Sequence, residues 1–428
     1  MNGPADRIGI IASAGALPGE VARSVVNRGG SVHVIMLDGA DPALEIFPHT
    51  YVNWAQLGRA TAALKRAGVS NILVLGAGAR PSFRNARPDF AFFRALPAVL
   101  RLLNAGGDDA VLRGFLGVLE THGLTVVGVG DVARELLVAE GALTRHEPSP
   151  EDAASIEKGF ALIAALGRYD IGQGTIVTDG RIEAIEGAEG TDRMLKRVAE
   201  ARGISNRRQR QGVLVKRPKP GQDLRVDLPA IGPNTVRNAD AAGLAGIAVM
   251  AGHVLAAERS EMIEIADQCG LFIAGIETAQ RPPPSRAAPG SAKPVGIGSI
   301  RIGDRAGAEI GRAIGILSEL AAFDSGSALV IGDGRIIAIG AGEPPRDVIE
   351  RAAGLRRKRA RREGVAVIGA AHEIDEAILV AANDAKLGGV VAVGASFDLE
   401  NKRGVVRLAD KLGLFIAATE VAEGGGRR

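Results

Sequence analysis

Cysteine occurs once in these 428 residues, at Cys269, so neither a disulfide framework nor a cysteine-based zinc site is available, and the cytoplasm is the expected compartment. Aromatic residues make up 3% of the chain and the formal net charge is only +3, which leaves no stacking platform and no strong basic field for nucleic acid. Long apolar runs are missing too. The best stretch, residues 241–257, is rich in Ala and Gly, is interrupted by His253, and falls short of the ~20 residues a membrane span needs. The short IIASAGA segment near the start has no basic cluster before it and runs into a helical pattern, so no signal peptide is predicted and any membrane contact is expected to be peripheral. His33, His49, His122, His146, His253 and His372 are scattered without ligand spacing. No GxSxG elbow or GxxxxGK[ST] loop occurs, which disfavours a serine nucleophile and a P-loop. Cys269 sits in an apolar run and reads as packed.

Glycine is abundant, with 58 residues, and 46% hydrophobic against 24% charged residues is the balance of a globular protein with many tight strand-to-helix turns. At 428 residues, about three domains of ~150 residues are expected. The runs 7–12, 31–36, 71–76 and 124–129 are short, apolar and β-branched, with helical periodicity between them. They predict an α/β fold beginning with a Rossmann-like parallel-sheet domain over residues 1–140. Its ligand should lie at the strand ends. There, Gly15 allows close backbone approach, and Leu17 and Pro18 open a helix whose N–H groups suit an anion. The spacing from Gly15 to Gly19 is not the GxGxxG fingerprint, although Asp38 falls about where a ribose-binding acid would stand. That Asp38 also reads as a plain turn residue. Asp109 and Arg113, four apart at a helix start, fit a capping ion pair as well as a ligand contact.

From about residue 143 the chain repeats itself. YDIGQGTIVTDGRIEAIE, with Asp170, Asp179 and Arg181, returns 154 residues later as FDSGSALVIGDGRIIAIG, and ADQCGLFIAGIE returns 143 residues later as ADKLGLFIAATE. Each copy predicts an Asp-Gly hairpin, then a helix, a strand, a helix, a Gly-rich strand and a last helix-strand pair. Two homologous α/β domains are therefore expected, at 143–283 and 295–424, joined by a Pro/Ala/Ser linker at 284–294. The basic run from Arg351 to Arg362 reads either as a solvated face or as a contact for an anionic lipid surface or RNA.

The second copy lacks one segment of the first, KRPKPGQDLRVDLPAIG at residues 216–232. Between Arg207 and Arg225, seven basic residues face Asp223 alone, a balance that suits phosphate. Pro218 and Pro220 remove backbone donors and predict a stiff exposed loop, the kind of segment that carries chemistry. Asp227, a carboxylate held among cations, can bind a metal or take a proton from water. Lys216, Lys219 and Arg225 can neutralise phosphate oxygens, with Gln222, Asp223 and Thr235 as further polar contacts. Thr191 and Asp192 open a helix placed to face the same site. The pattern points to metal-assisted phosphoryl hydrolysis. A nucleotide-sugar oxidoreductase and a non-enzymatic nucleotide or lipid sensor are the alternatives.

Taken together, IGIIASAGALP, WAQLG at 54–58, GARPSF, GGDDAVLRGFLGVLE, EGTDRML and KRPKPGQDLRVDLPAIGPNTV resemble the LpxI-type UDP-2,3-diacylglucosamine pyrophosphatases over about residues 5–283. The resemblance implies Mg-dependent hydrolysis of UDP-2,3-diacylglucosamine by water attack at the β-phosphorus, yielding UMP and the acylated sugar phosphate of lipid A synthesis. It also implies a Rossmann-like domain, a catalytic C-terminal domain, a cleft between them, a homodimer and work at the inner-leaflet membrane surface. The essential carboxylate of the family falls here on Asp227. Residues 284–428 depart from the family pattern, and the fused second copy could occupy a surface that a partner subunit would otherwise cover.

Overall fold

The structure, a computed structural model, describes residues 7–76, 86–94, 116–203, 210–278, 294–356, 362–393 and 403–419. Its first sheet contains β1 (Arg7–Ala12), β2 (Ser31–Met36), β3 (His49–Tyr51), β4 (Asn71–Leu75) and β5 (Thr125–Val126), all parallel, in the order β3-β2-β1-β4-β5. β1 and β2 read as continuous apolar runs because helices cover both faces of the sheet. Ile10, Val34 and Leu73 pack on one side with Val21 and Val25 of the helix Leu17–Asn27. Ile11, Ile35 and Ile72 pack on the other with Leu57 and Leu64 of the helix Leu57–Arg66. β3 was not expected; at three residues it is too short to show a period and is defined by pairing with Val34–Met36.

The second sheet comprises β6 (Gly141–Ala142), β7 (Gly174–Thr178), β8 (Arg181–Ile185), β9 (Val213–Lys216), β11 (Gly246–Met250) and β13 (Phe272–Ile276), in the order β6-β13-β11-β9-β7-β8. β10 (Ala230–Ile231) and β12 (Leu255–Ala256) pair separately, in parallel. The third sheet comprises β14 (Val295–Gly296), β15 (Ala328–Gly332), β16 (Arg335–Ile339), β17 (Val365–Ile368), β18 (Gly389–Val393) and β19 (Phe415–Thr419), in the equivalent order β14-β19-β18-β17-β15-β16.

The two later sheets agree in detail as well as in order. Both hairpins turn on Asp-Gly with positive φ at each residue, 49° and 71° at Asp179-Gly180 and 55° and 72° at Asp333-Gly334. That is the turn whose twist matches the flanking strands. Both first hairpin strands carry a register shift, between Ile176 and Val177 and between Val330 and Ile331. Arg202 donates to the carbonyls of Gln211 and Ala242, and its counterpart Arg356 to those of Glu363 and Ala385. The α/β class and the shared fold of the two copies are thus present. A single apolar cluster joins the two copies, with Leu162, Leu166 and Val177 from one and Ile314, Leu317 and Ile331 from the other. Among the described residues no helix is long and apolar enough to cross a membrane.

Candidate active site

β1 ends in a sharp turn. The nitrogen of Ser13 bonds to the carbonyl of Leu75 at 3.0 Å, and Gly15 follows with φ 107° and open space where a Cβ would project. The helix Leu17–Asn27 then starts on Ala16 with no side-chain cap and with Pro18, which has no N–H, in its first turn, while the N–H groups of Gly19 and Glu20 already bond to the Ala16 carbonyl at 3.0 and 3.1 Å. In the same turn, Glu20 accepts from the backbone N–H of Glu258 at 2.7 Å, tying the first sheet's helix to the second domain. Burial raises the Glu20 carboxyl above its ordinary value.

The loop after β9 meets this edge. Val226 packs on the apolar cluster containing Ile11 and Ile35, whereas Leu228 packs on the cluster containing Ile10 and Val34, so the two side chains grip opposite faces of the first sheet. Asp227 lies between them. A Cβ on Gly128, just past β5, would stand 3.4 Å from Cα of Arg225, which shows how closely the loop crosses the strand end. Gln222 holds the loop's shape: its side-chain oxygen accepts from the N–H of Lys219 at 2.9 Å, and its amide donates to the Asp227 carbonyl at 2.6 Å and to the Asp227 carboxylate.

At the root of the loop, β9 delivers Lys216 into the interior, 5% exposed, where its ammonium donates to the Thr191 hydroxyl at 2.9 Å and the Ala230 carbonyl at 3.1 Å. Burial lowers its pKa, opposed by the charges of Glu186 and Asp192. Asp192 accepts from Asn238 at 3.1 Å, joining the starts of the helices Thr191–Arg202 and Pro233–Ala241. Thr235 is buried, and its hydroxyl accepts from the N–H of Gly232 at 3.4 Å. Arg217 is buried as well, and loss of solvent lowers its pKa. Asp227, Gln222, Asp223 and Arg225 therefore sit together on the loop, and Lys216, Thr191, Asp192 and Thr235 at its base.

Three features differ from the expected exposed basic loop. Lys216, Arg217 and Pro218 are buried: Lys216 ends β9, and the N–H of Arg217 donates to the Gln173 carbonyl at 3.1 Å, which keeps the chain beside the sheet as it leaves the strand. Arg225 clasps Asp223 with Nε at 2.9 Å and Nη2 at 2.7 Å and reaches Glu120 at 3.2 Å, bonds that raise its pKa. Lys219 pairs with Asp170 at 2.6 Å. These two cations brace the loop. Asp38 is bonded by Asn53 at 2.9 Å, in keeping with the turn reading, and Asp109 and Arg113 lie outside the described residues. Sequence reasoning missed Glu186, Asn238 and Glu120, whose parts depend on contacts that no local spacing reveals. Cys269 is half-buried, and burial raises its thiol pKa.

Strand register gives an internal comparison. Lys216 pairs with Gly174 and Ile368 with Ala328, so the buried lysine of the first copy is an isoleucine in the second. Where the first copy has Glu186, Thr191, Asp192, Thr235 and Asn238, the second has Gly340, Pro345, Arg346, Ile378 and Ala381. Structural features survive: Asp179, Arg202 and the register shift all have counterparts. The polar cluster and the loop do not.

The described residues form a Rossmann-type α/β unit latched to a second α/β unit by a charged loop that carries a central carboxylate. Residues 7–136 match the LpxI N-terminal domain and residues 139–274 the LpxI C-terminal domain. The chain is also 39% identical over 279 residues to the UDP-2,3-diacylglucosamine pyrophosphatase LpxI of Caulobacter vibrioides, covering 64% of this chain and 99% of that protein. The chain belongs to the LpxI family. The two family models leave the third sheet uncovered.

Proposed function

We propose that the chain hydrolyses the pyrophosphate of UDP-2,3-diacylglucosamine, releasing UMP and 2,3-diacylglucosamine 1-phosphate for lipid A biosynthesis. The observation that carries this reading is the placement of Asp227, between side chains anchored on both faces of the first sheet at the edge where parallel α/β sheets bind ligands. The name of the Caulobacter relative supports the substrate. In this reading the nucleotide lies along Gly15, Leu17 and Pro18, with phosphates at the uncapped helix start. Asp227 orients water and accepts its proton as the oxygen attacks phosphorus. Gln222 fixes the carboxylate, and Lys216, Thr191 and Asp192 set the base of the site. Lys219 and Arg225 reach phosphate oxygens by exchanging their carboxylate partners for the ligand.

Among the described residues no three His, Cys, Asp or Glu side chains converge as a metal cage. Magnesium does not require one, because it commonly rests on one or two carboxylates, water and substrate phosphates, so Asp227 fits as its protein ligand. When bound, the ion would neutralise charge developing on the phosphate oxygens.

Peripheral contact with the cytoplasmic face of the inner membrane fits residues 86–94, where Phe90 and Phe93 are 77% and 55% exposed beside exposed Arg87 and Arg94. The third domain is a catalytically silent copy, in keeping with its loss of the polar cluster. Purified protein given UDP-2,3-diacylglucosamine and Mg²⁺ should release UMP, and Asp227→Ala should abolish release while circular dichroism and the unfolding temperature stay the same. Undiminished turnover in that variant would refute the assignment.

A further inference from the structure

We propose that the third domain is a tethered stand-in for a second copy of the second domain, filling within one chain a face built for self-pairing. Glu189 and Glu343 occupy equivalent places in the repeat, 154 residues apart, and so do Arg197 and Arg351. Across the junction, Arg197 reaches Glu343 at 3.2 Å and Arg351 reaches Glu189 at 3.8 Å. Within each copy, Arg197 holds Glu189 at 3.1 Å and Arg351 holds Glu343. Contact of i with j and of j with i is the mark of a twofold interface between like surfaces.

The surrounding contacts repeat the pattern. The helices Pro150–Leu166 and Asp304–Ala321 begin at equivalent positions and pack against each other. Tyr169 and its counterpart Phe323 both pack on the shared apolar cluster. The N–H of Ala188, after the edge strand β8, donates to the Ile337 carbonyl in the edge strand β16 at 3.4 Å.

The four charges sum to zero and their side chains are only 3–22% exposed. Removing one therefore strands another in a poorly solvated place, unlike the breaking of a surface bridge. The third domain has lost the lysine, the threonine and the loop of the first copy but keeps the glutamate and the arginine of the junction. What has been retained is the pairing face.

The test uses the full chain with Cys269→Ser, Arg197→Cys and Glu343→Cys, treated with a short bismaleimide and resolved under denaturing conditions. The expected product is an internally bridged single chain of 44.1 kDa with altered mobility. A bridge joining two chains would overturn the proposal, because the face would then be filled by a different molecule. Hydrogen exchange on the single variants Glu343→Gln and Arg351→Gln provides a second reading if the triple variant misfolds. Protection of residues 150–166 in the second domain should fall, and protection identical to that of the parent chain would equally overturn the proposal.

Discussion

The ammonium of Lys216 donates to the carbonyl of Ala230 at 3.1 Å, so one buried side chain joins the two ends of the segment that carries Asp227. Its bond to Thr191 ties that junction to the start of a helix. Lys216→Met keeps the length and apolar bulk of the side chain while removing both bonds. UMP release should fall by about 100-fold, the order expected when a catalytic group shifts by ~1 Å, with little change in unfolding temperature. Wild-type turnover in this variant would show that the staple has no bearing on the site.

Val226 and Leu228 anchor Asp227 from opposite faces of the first sheet. Truncating either to Ala removes part of a half-buried side chain, worth about 1 kcal/mol. Turnover should drop more than stability does, and the double variant should lose more turnover than either single one. Parallel measurement of kcat and denaturant unfolding separates the two effects.

A Cβ on Gly167 would lie 2.1 Å from Cδ of Pro220, whereas one on Gly311 would meet nothing within 4 Å. Gly167→Ala must push the loop off its seat, at about 1–3 kcal/mol. Gly311→Ala, on an open helix position, should instead be neutral or stabilising. Thermal unfolding of the two variants should shift in opposite directions or differ clearly in size.

Glu183 is partly buried, which by itself raises its pKa, but bonds from Arg202 and Thr178 outweigh that and leave it below the ordinary value of 4.5. A carboxyl depressed by folding adds stability that is full above the unfolded pKa and is lost as pH falls through the folded one. Glu183→Gln should lower the unfolding temperature near neutral pH and flatten its decline below about pH 4.5, the ordinary value for a glutamate. A wild-type acid limb in the variant would contradict the linkage.

The parts of this fold legible in the chain were those written locally. β1 and β2 stood out as apolar runs, and the Asp-Gly hairpins, with Asp179 and Asp333 in left-handed conformations, announced the repeat. β3 did not, since three residues carry no period. At the site, the confinement of the segment 216–232 to the first copy could be read from the sequence, but the directions of its side chains could not. Arg225 and Lys219 face carboxylates at Asp223, Glu120 and Asp170, two of them far away in sequence. The crossed pairs of Glu189 and Arg351 and of Arg197 and Glu343 were equally hidden, because they depend on how two distant copies meet.

Asp227 is covalently rooted in the second sheet but seated on the first by its two neighbours in sequence. Any hinge rotation that admits a bulky lipid or lets product escape must peel those neighbours away and take the carboxylate off its station. Under the role proposed for Asp227, the competent geometry would exist only in the shut state, and the segment that latches the two sheets together would also carry the reacting carboxylate.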